Sequence, residues 1–371
     1  MLSGGLMVRG ALILQDGTVV EGEGFGAIKD AEGEVVFNTS MAGYQECLTD
    51  PSYKYQILMP TYPLIGNYGI TPERFESDRI QVEGFIVRQL CEKPSHGRML
   101  KKLDEWLEEE DIPGLQGVDT RFLTRKIRNM GVMNGILKLP YEPRELDGLK
   151  ERAQKLKSIS ELDLVDLVTV KKPMLHEPKS GEIRKTVVLI DCGTKMSIVR
   201  NLVDRGCRVI RVPAGTAAKN LLDYNPDGVM ISNGPGDPER ADYVTKNIKK
   251  LIDEQLPIFG ICFGNQLVGR ALGGRTYKLK FGHRGANQPV KDLQTNKVYV
   301  TSQNHGFALD ADSLPKDEVK VTHINLNDNS VEGIAHKSLP VYTIQYHPEA
   351  HAGPWDSEYL FDDFIAMMQS H

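Results

Sequence analysis

The sequence predicts an α/β protein in which a β-rich α+β N-terminal domain precedes a C-terminal, doubly wound and mostly parallel sheet. Two observations support this fold class. Apolar runs alternate with helical patterns after Arg184, whereas short strands broken by Gly, Pro and Asn dominate before residue 140. Strands buried on both faces of a parallel sheet read as unbroken apolar runs. A chain of 371 residues is long enough for two such domains.

Local patterns justify the N-terminal elements. Asp16-Gly17 follows a strand pattern over residues 11–15, and an Asp-Gly pair between strand patterns is typical of a hairpin. Further strand patterns cover residues 35–37 and 84–87, and a helical pattern covers 99–109. We therefore expect residues 1–140 to form one β-rich domain.

Residues 141–185 are expected to form a charged connecting segment and linker. The segments 171–173 (Lys-Lys-Pro) and 177–181 (Glu-Pro-Lys-Ser-Gly) lie within it. Such composition is typical of turns and linkers. The second domain is accordingly predicted to span residues 186–371.

The C-terminal elements are justified by largely apolar runs, of which the first four are each followed by a helical pattern and the last two form a strand-like tail before a closing helix. The predicted strands cover residues 187–190, 207–212, 228–231, 258–261, 297–301 and 341–346, and the clearest helical patterns cover 196–205, 266–272 and 358–368. Ligands of open parallel sheets bind at the carboxyl ends of the strands. We therefore looked for chemistry in the segments that directly follow these strands.

Composition narrows the classes of function and location. The chain has 45 basic and 50 acidic residues and a net charge of −5, which gives no electrostatic reason to expect nucleic acid or an anionic membrane. The apolar run from Leu6 to Leu14 is too short and too weakly flanked for a signal peptide. Five widely spaced cysteines indicate reduced thiols and a cytoplasmic protein. Whether Met1 or Met7 is the native start is left open.

The strongest local signal is the segment 260–264 (Gly-Ile-Cys-Phe-Gly), which lies between a predicted strand and a predicted helix. Small residues on both sides of a nucleophile permit the strained turn of a nucleophile elbow. The partial positive charge at a helix N-terminus favours the reactive thiolate of Cys262. An inert buried cysteine between packing glycines fits the same pattern.

A second signal is the segment Tyr-His-Pro-Glu at residues 346–349, which ends an apolar run. A catalytic cysteine needs a base, and the base needs a group that fixes its orientation. His347 and Glu349 fit these two roles, although an ordinary surface turn explains the tripeptide equally well in isolation. His305 is a competing candidate for the base.

Two further segments follow predicted strands. Residues 232–238 (Ser-Asn-Gly-Pro-Gly-Asp-Pro) let backbone N–H groups approach a ligand, which suits an oxyanion site completed by the N–H of Phe263. A plain loop leading into a helix is the alternative. Residues 303–307 (Gln-Asn-His-Gly-Phe) offer amide and backbone groups of the kind that hold the ammonium and carboxylate of an amino acid.

With these four segments in this order, the C-terminal half resembles the class I glutamine amidotransferase family over roughly residues 186–371. The resemblance rests on the G-x-C-x-G, H-P-E and N-G-P-G motifs. It implies that Cys262, His347 and Glu349 form a triad. Such a triad hydrolyses the side-chain amide of glutamine through a glutamyl thioester and passes ammonia to a partner active site.

The N-terminal half resembles the small subunit of carbamoyl phosphate synthetase. Residues 34–46, 48–53, 62–69 and 117–121 carry this likeness, and residues 282–287 add to it. It implies that the partner is a large synthetase subunit, which uses ATP and Mg, and that docking goes through the N-terminal domain. The sequence has no G-x-x-x-x-G-K-S/T loop and no obvious metal-ligand cluster, so we expect no cofactor or metal in this chain. The glutamine contacts that the resemblance implies are Ser52, Gly234, Gly236, Phe263, Gln266, Asn304, Gly306 and Phe307.

The chain departs from many relatives at Phe263, Asn265 and Gln288, where those relatives have Leu, His and His. Asn265 removes a histidine next to the nucleophile and leaves the activation of the thiol to His347 and the helix terminus. Two other classes of function compete: a non-catalytic regulatory subunit, which an intact triad opposes, and a free-standing cysteine hydrolase, which has no use for so long an N-terminal module. The sequence does not decide between arginine and pyrimidine synthesis.

Overall fold

The computed structural model describes residues 8–179, 181–350 and 352–370. The chain divides into two compact units, Met1–Ile159 and Ser160–His371. This boundary lies inside the segment assigned to a linker, so that residues 141–159 belong to the first unit and 160–185 to the second. The choice between Met1 and Met7 as the start lies outside the described residues. Within the described residues, no helix combines the length and the apolar character needed to cross a membrane.

The first unit contains short strands and four short to medium helices in its described part. Its strands are β1 (Val8–Leu14), β2 (Val19–Gly26), β3 (Ala31–Asn38), β4 (Gln56–Pro60), β5 (Leu64–Ile65), β6 (Gly84–Ile86), β7 (Gln89–Leu90), β8 (Pro113–Gln116) and β9 (Met133–Lys138). Its helices are α1 (Tyr44–Thr49), α2 (Leu103–Glu109), α3 (Thr120–Met130) and α4 (Leu146–Gln154).

Most of these strands close into a barrel in the order β1-β2-β8-β6-β4-β3-β9. The hairpin predicted at Asp16-Gly17 is confirmed, because β1 and β2 are antiparallel and Ile13 pairs with Val19. Helix α2 begins at Leu103 instead of residue 99. A β-bridge just before the helix explains this difference. The backbone of Lys101 forms this antiparallel bridge with Ile70 and is therefore unavailable to the helix.

The second unit alternates strands and helices before a long antiparallel segment. Its strands are β10 (Met174–His176), β11 (Lys185–Asp191), β12 (Cys207–Pro213), β13 (Gly228–Ile231), β14 (Ile258–Ile261), β15 (Thr276–Asp292), β16 (Val298–Leu309), β17 (Val319–Asn325), β18 (Val331–His336) and β19 (Val341–Ile344). Its helices are α5 (Val165–Val168), α6 (Met196–Asp204), α7 (Ala218–Leu222), α8 (Asp242–Asp253), α9 (Phe263–Ala271) and α10 (Tyr359–Gln369).

These strands form one sheet in the order β10-β12-β11-β13-β14-β19-β18-β17-β15-β16. The four neighbour pairs from β12 to β19 are parallel, as predicted. The sheet as a whole is not mostly parallel, because its other five neighbour pairs are antiparallel. The strands β15 to β18 extend it with antiparallel pairs. This extension is larger than the isolated strand pattern at residues 297–301 indicated.

Both faces of the parallel part are covered. Val188 and Ile190 of β11 join one buried apolar cluster, to which α7, α8 and α9 also contribute. Leu189, between them, joins a second cluster that includes side chains of α6 and α10. Because successive side chains of a strand point to opposite faces, burial on both sides requires an unbroken apolar run. The carboxyl ends of these strands therefore meet at one edge of a well-packed sheet.

Candidate active site

Cys262 lies in the turn between β14 and α9. Its backbone has φ 55° and ψ −102°, a conformation that is rare and strained for a residue with a Cβ atom. The residue is 1% exposed. Helix α9 begins at Phe263, three residues before the predicted start, because the turn at Cys262 leads into the helix directly. Strain of this kind persists where the surrounding fold holds a reactive residue in place.

Two glycines make this turn possible. A Cβ atom on Gly260 would lie 2.8 Å from the backbone of Gly264, and one on Gly264 would lie 2.3 Å from the carbonyl oxygen of Ile231. Both separations are shorter than carbon contacts allow, so the backbone approach requires glycine. The spacing of small residues around Cys262 thus has a direct steric cause.

His347 and Glu349 form a buried pair after β19. His347 Nδ1 lies 2.6 Å from Glu349 Oε1, and the residues are 2% and 0% exposed. Lys195 Nζ donates to the same carboxylate oxygen at 3.0 Å. Burial alone would raise the pKa of Glu349, but Lys195 and His347 outweigh burial and hold this pKa well below its usual range. Glu349 is therefore ionised and keeps the Nδ1 proton of His347 in place.

The other ring nitrogen of His347 is available for chemistry. Nε2 is buried and has no hydrogen-bond partner within the described part of the chain. Burial lowers the pKa of His347, and Lys195 lowers it further, yet Glu349 and the Cys262 thiol more than offset both and raise this pKa above its ordinary value. The arrangement suits proton exchange between sulfur and imidazole.

A chain of buried amides reaches Cys262 from its other side. Gln345 Nε2 donates to Cys262 Sγ at 3.6 Å. Gln345 Oε1 accepts from Asn265 Nδ2 at 2.9 Å and from Gln266 Nε2 at 3.2 Å. The hydroxyl of Thr343 donates in turn to Asn265 Oδ1 at 2.7 Å. Asn265, one of the departures from the relatives, is thus connected to the sulfur through Gln345.

Strand β16 brings three of the predicted glutamine contacts to this centre. The Cys262 thiol donates to the carbonyl oxygen of Asn304 at 3.6 Å. Gln266 Nε2 donates to the carbonyl oxygen of Phe307 at 2.8 Å, and Gly306 lies between these two residues on the strand. Phe263 is the first residue of α9, so its backbone N–H lies next to the sulfur-bearing residue.

Gly234 and Gly236 follow β13, which is the direct neighbour of β14 in the sheet. A Cβ atom on Gly234 would lie 2.4 Å from the carbonyl oxygen of Cys192, and Gly236 has φ +85°. Both positions therefore require glycine, for close approach and for backbone conformation respectively. The loop lies at the same carboxyl edge of the sheet as Cys262.

Ser52 is the one predicted contact in the first unit. It lies in a short 3-10 turn, Pro51–Tyr53, where its backbone N–H donates to the side chain of Asp50. Ser52 is buried in the described part of the chain. Its role in binding glutamine stays a prediction.

His305, the competing base, is engaged on both sides. Its Nδ1 lies 2.7 Å from the carbonyl oxygen of Phe307, and its Nε2 lies 3.1 Å from Gln303 Oε1. Burial lowers the pKa of His305 well below its ordinary value, and His283 contributes to the shift. Both nitrogens of this ring already contact other groups, whereas Nε2 of His347 has no hydrogen-bond partner among the described residues. The geometry favours His347 as the base.

Among the described residues, one buried group of side chains has the composition of a metal site. Ligand atoms of His283, His305 and Glu332 all lie within 4.8 Å of one another. Burial lowers the pKa of His283, but hydrogen bonds to Asp328 and Glu332 outweigh it and raise the pKa to about 9. In the structure, the two ring nitrogens of His283 already face carboxylates, Asp328 at 3.0 Å and Glu332 at 3.6 Å. The three residues thus belong to a buried hydrogen-bond network on β15, β16 and β18.

Sequence reasoning missed Lys195 and Gln345. Lys195 ends a polar segment that follows the buried strand β11, at the same edge of the sheet as the predicted site residues. Gln345 is a polar residue inside the apolar run 341–346. Both polar positions are visible in the sequence, but neither position indicates by itself which distant residue the side chain contacts.

Comparison with known proteins bears on the whole chain. The family model described as carbamoyl-phosphate synthase small chain, CPSase domain, matches residues 12–137, and the model for glutamine amidotransferase class-I matches residues 188–367. The carbamoyl phosphate synthase small chain of Methanopyrus kandleri is 53% identical over 98% of this chain and 100% of its own length. The chain belongs to the carbamoyl phosphate synthase small chain family. The resemblance stated from the sequence is confirmed.

Other members of the small-chain family are similarly close. The carbamoyl phosphate synthase small chain of Methanocaldococcus jannaschii is 55% identical and covers 97% of this chain and 99% of its own length. That of Archaeoglobus fulgidus is 52% identical over 98% of this chain and 100% of its own. A solved structure described as a glutamine amidotransferase from Thermotoga maritima has a TM-score of 0.37 at 16% identity, covering 50% of this chain and 89% of that one.

Proposed function

We propose that this chain hydrolyses L-glutamine with Cys262 as nucleophile and delivers the ammonia to a large synthetase subunit, which makes carbamoyl phosphate from bicarbonate and ATP. One observation carries the proposal: a strained, buried cysteine at a strand–helix turn lies beside a buried His347–Glu349 pair. Membership of the small-chain family supports the reaction, since its class I amidotransferase domain covers residues 188–367. We describe the turn at Cys262 as a nucleophile elbow on this basis.

The first half-reaction forms a thioester. Cys262 Sγ bonds to the carbon of the side-chain amide, and the carbonyl oxygen becomes an oxyanion. The backbone N–H groups of Phe263 and of the loop at Gly234 and Gly236 are the proposed donors to this oxygen. His347 Nε2 then gives its proton to the amide nitrogen as the carbon–nitrogen bond breaks. Ammonia leaves, and a glutamyl thioester on Cys262 stays behind.

The second half-reaction reverses the role of the imidazole. His347, now neutral, takes a proton from a water molecule whose oxygen bonds to the thioester carbon. The carbon–sulfur bond breaks, which releases glutamate and returns the thiolate–imidazolium pair. Glu349 keeps the imidazole oriented through both halves, and Lys195 fixes Glu349.

The substrate is proposed to bind along β16 and α9. Backbone and amide groups of Asn304, Gly306 and Phe307 suit the ammonium and carboxylate of glutamine. Gln266, whose amide bonds to Phe307 and Gln345, supports this wall. Ser52 is a further proposed glutamine contact. We assign no cofactor or metal to this chain. We assign ATP and Mg to the large subunit. We place the protein in the cytoplasm.

Trapping the thioester tests this function. Acid quenching during turnover of radiolabelled glutamine should leave label on the wild-type chain and none on Cys262→Ala. Cys91→Ala is the matched control, because this thiol is also free but lies in the first unit. Absence of label from the wild type during active turnover would exclude covalent catalysis. Absence of both label and turnover would favour a non-catalytic subunit.

A further inference from the structure

Helix α3 of the first unit presents a row of arginines. Arg121, Arg125 and Arg128 are spaced by four and three residues, so at about 100° per residue they lie within roughly 60° of one another around the helix. All three are exposed. Within the described residues none of them forms an ion pair, whereas Lys126 on another side of α3 pairs with Asp16 at 2.5 Å. We call these three residues the α3 arginine face.

The α3 arginine face lines a cavity of about 400 Å³, completed by Thr61 and Thr124. No carboxylate lines this cavity, so its polar groups are three guanidinium groups and two hydroxyls. Guanidinium forks bind carboxylates and phosphates through paired hydrogen bonds. The chemistry of the lining therefore selects an anion.

The arrangement is locally unfavourable for the helix. Like charges three and four residues apart repel, at a few tenths of a kcal/mol for each pair. Arg121 also lies in the first turn of α3, where the helix dipole disfavours a cation, whereas Arg128 lies in the last turn, where the dipole favours one. No ion pair among the described residues offsets these costs, although the whole chain carries a net charge of −5. Residues that break local rules without an internal gain are expected at functional surfaces.

The surroundings favour a protein over a small anion. Phe122, about 60° from Arg125 around the helix, is 48% exposed. Arginine and aromatic residues are enriched at protein interfaces, where lysine and glutamate are depleted. A free phosphate needs no apolar surface beside it, whereas an acidic protein surface does.

We propose that the α3 arginine face docks onto an acidic surface of the large synthetase subunit, with carboxylates of that subunit paired to Arg121, Arg125 and Arg128. This inference rests on the proposed function only in taking the partner to be the large subunit. Exposed charges at an interface act mainly on the rate of association and its dependence on salt.

Charge reversal at the centre of the face is the test. Arg125→Glu in the full chain should lower the association rate constant with the large subunit by about tenfold or more at low salt, and should weaken its salt dependence. Arg79→Glu is the matched control, because Arg79 is exposed in the same unit but lies outside α3. Glutaminase activity of the isolated chain should be the same in both variants and the wild type.

Two results would overturn the docking proposal. One is an unchanged association rate for Arg125→Glu at low salt. The other is saturable binding of inorganic phosphate to the isolated chain that Arg125→Glu abolishes while association with the large subunit is unaffected, which would indicate a small-anion site. Failure of the proposed function has a different signature, namely absence of glutaminase activity in the wild type.

A separate observation concerns the sulfur of Cys262. We infer that Gln345 is a catalytic residue, whose amide N–H stabilises the thiolate; this rests on Cys262 being the nucleophile. Gln345 Oε1 already receives two N–H donors, from Asn265 and Gln266, so its Nε2 must be the end that faces Sγ. The hydroxyl of Thr343 fixes Asn265 in the same way.

Burial strengthens this relay, by which we mean the chain of hydrogen bonds from Thr343 through Asn265 and Gln345 to the sulfur of Cys262. Gln345, Asn265 and Thr343 are each 0% exposed, so water does not compete for the donors. A hydrogen bond to a charged group in such surroundings is stronger than one between neutral groups. The relay gives Asn265 a function in place of the histidine that many relatives have there.

Alkylation of Cys262 tests this second inference. Gln345→Leu should slow the reaction with iodoacetamide at neutral pH by about 10- to 150-fold, and should lower kcat of glutaminase by a similar factor while KM changes little. Gln345→Glu, which keeps the size but adds a charge, should slow alkylation further. Gln45→Leu is the control, since this buried amide lies in the first unit and bonds to Thr71.

The proposed role of Gln345 would be overturned if either Gln345 variant reacted with iodoacetamide as fast as the wild type while its thermal unfolding was unchanged. If Gln345→Leu does not fold, the isosteric Gln345→Glu decides alone. A loss of kcat without slower alkylation would also contradict it, because that pattern places Gln345 on the substrate and not on sulfur.

Discussion

In the proposed mechanism, Cys262 is the one side chain of the triad that forms a bond to substrate, and its loss has the largest expected effect. Cys262→Ala should lower glutamine-dependent synthesis of carbamoyl phosphate on the order of 10⁴-fold or more, since nucleophile and base act as a unit. Synthesis from ammonium chloride should survive in the same complex. Measuring both rates separates the two steps, and loss of the ammonia-dependent rate as well would contradict the division of labour between subunits.

In the proposed mechanism Glu349 acts only through His347, so the two residues should differ in a mutant comparison. Glu349→Gln keeps a partner for Nδ1 and should slow turnover less than His347→Asn, with KM for glutamine nearly unchanged in both. Steady-state kinetics of the complex measure this split. Equal and complete loss in the two variants would mean that Glu349 takes part in chemistry or holds the fold.

Lys195 combines a positioning role with a structural one. It is 6% exposed and faces a carboxylate that is fully buried, so Lys195→Leu leaves a buried charge with one partner fewer. We expect a loss of about 3–5 kcal/mol in the free energy of unfolding. The control is Lys316→Leu, whose pair with Asp312 is 75% and 92% exposed and should cost less than about 1 kcal/mol. Urea unfolding of both variants gives the comparison, and similar losses would refute it.

At the scale of elements, the sequence predicted the strands and turns that depend on residues close together in the chain. The buried strands β11, β13 and β14 follow from unbroken apolar runs, and the turn at Cys262 follows from flanking glycines. The contacts of Lys195 and Gln345 did not follow, because they join residues 154 and 83 positions apart. No local pattern encodes which strand ends meet. The antiparallel extension was underestimated for the same reason, since β15 pairs with two strands at once.

The network on β15 predicts a pH dependence of stability. Hydrogen bonds to Asp328 and Glu332 raise the pKa of His283 from its ordinary 6.5 to about 9 against the opposing effect of burial. A raised pKa stabilises the folded state fully below about pH 6.5, and this contribution is lost as pH rises through about 9. The free energy of unfolding should therefore fall over this range, and His283→Gln should remove that part of the fall.

The control for this prediction is His96→Gln, because His96 is an exposed residue of the first unit. Chemical unfolding between pH 6 and pH 10 provides the measurement. A wild-type curve that is flat between pH 6.5 and 9, or one that is the same in His283→Gln, would show that His283 carries no stabilising charge.

At the scale of the whole molecule, hydrolysis is expected to respond to the partner. An ammonia-transfer enzyme that hydrolyses glutamine alone wastes substrate, and gating by the partner prevents this. The isolated chain should be a slow glutaminase that speeds up when the large subunit, ATP and bicarbonate are added. Steady-state assays with and without that subunit decide the point. Identical rates would favour a free-standing hydrolase.

The pairing of β14 with β19 has a consequence for biosynthesis. Ile258 of β14 pairs with Val341 of β19. During translation β14 therefore cannot pair with β19 until the ribosome has added about 80 further residues. This takes roughly 4 to 17 s at ordinary rates of synthesis. During this interval Cys262 has been made but His347 and Glu349 have not. A nascent or prematurely terminated chain of this length therefore contains the proposed nucleophile without the proposed base, so hydrolysis by the proposed triad is expected only from polypeptides that extend beyond residue 349.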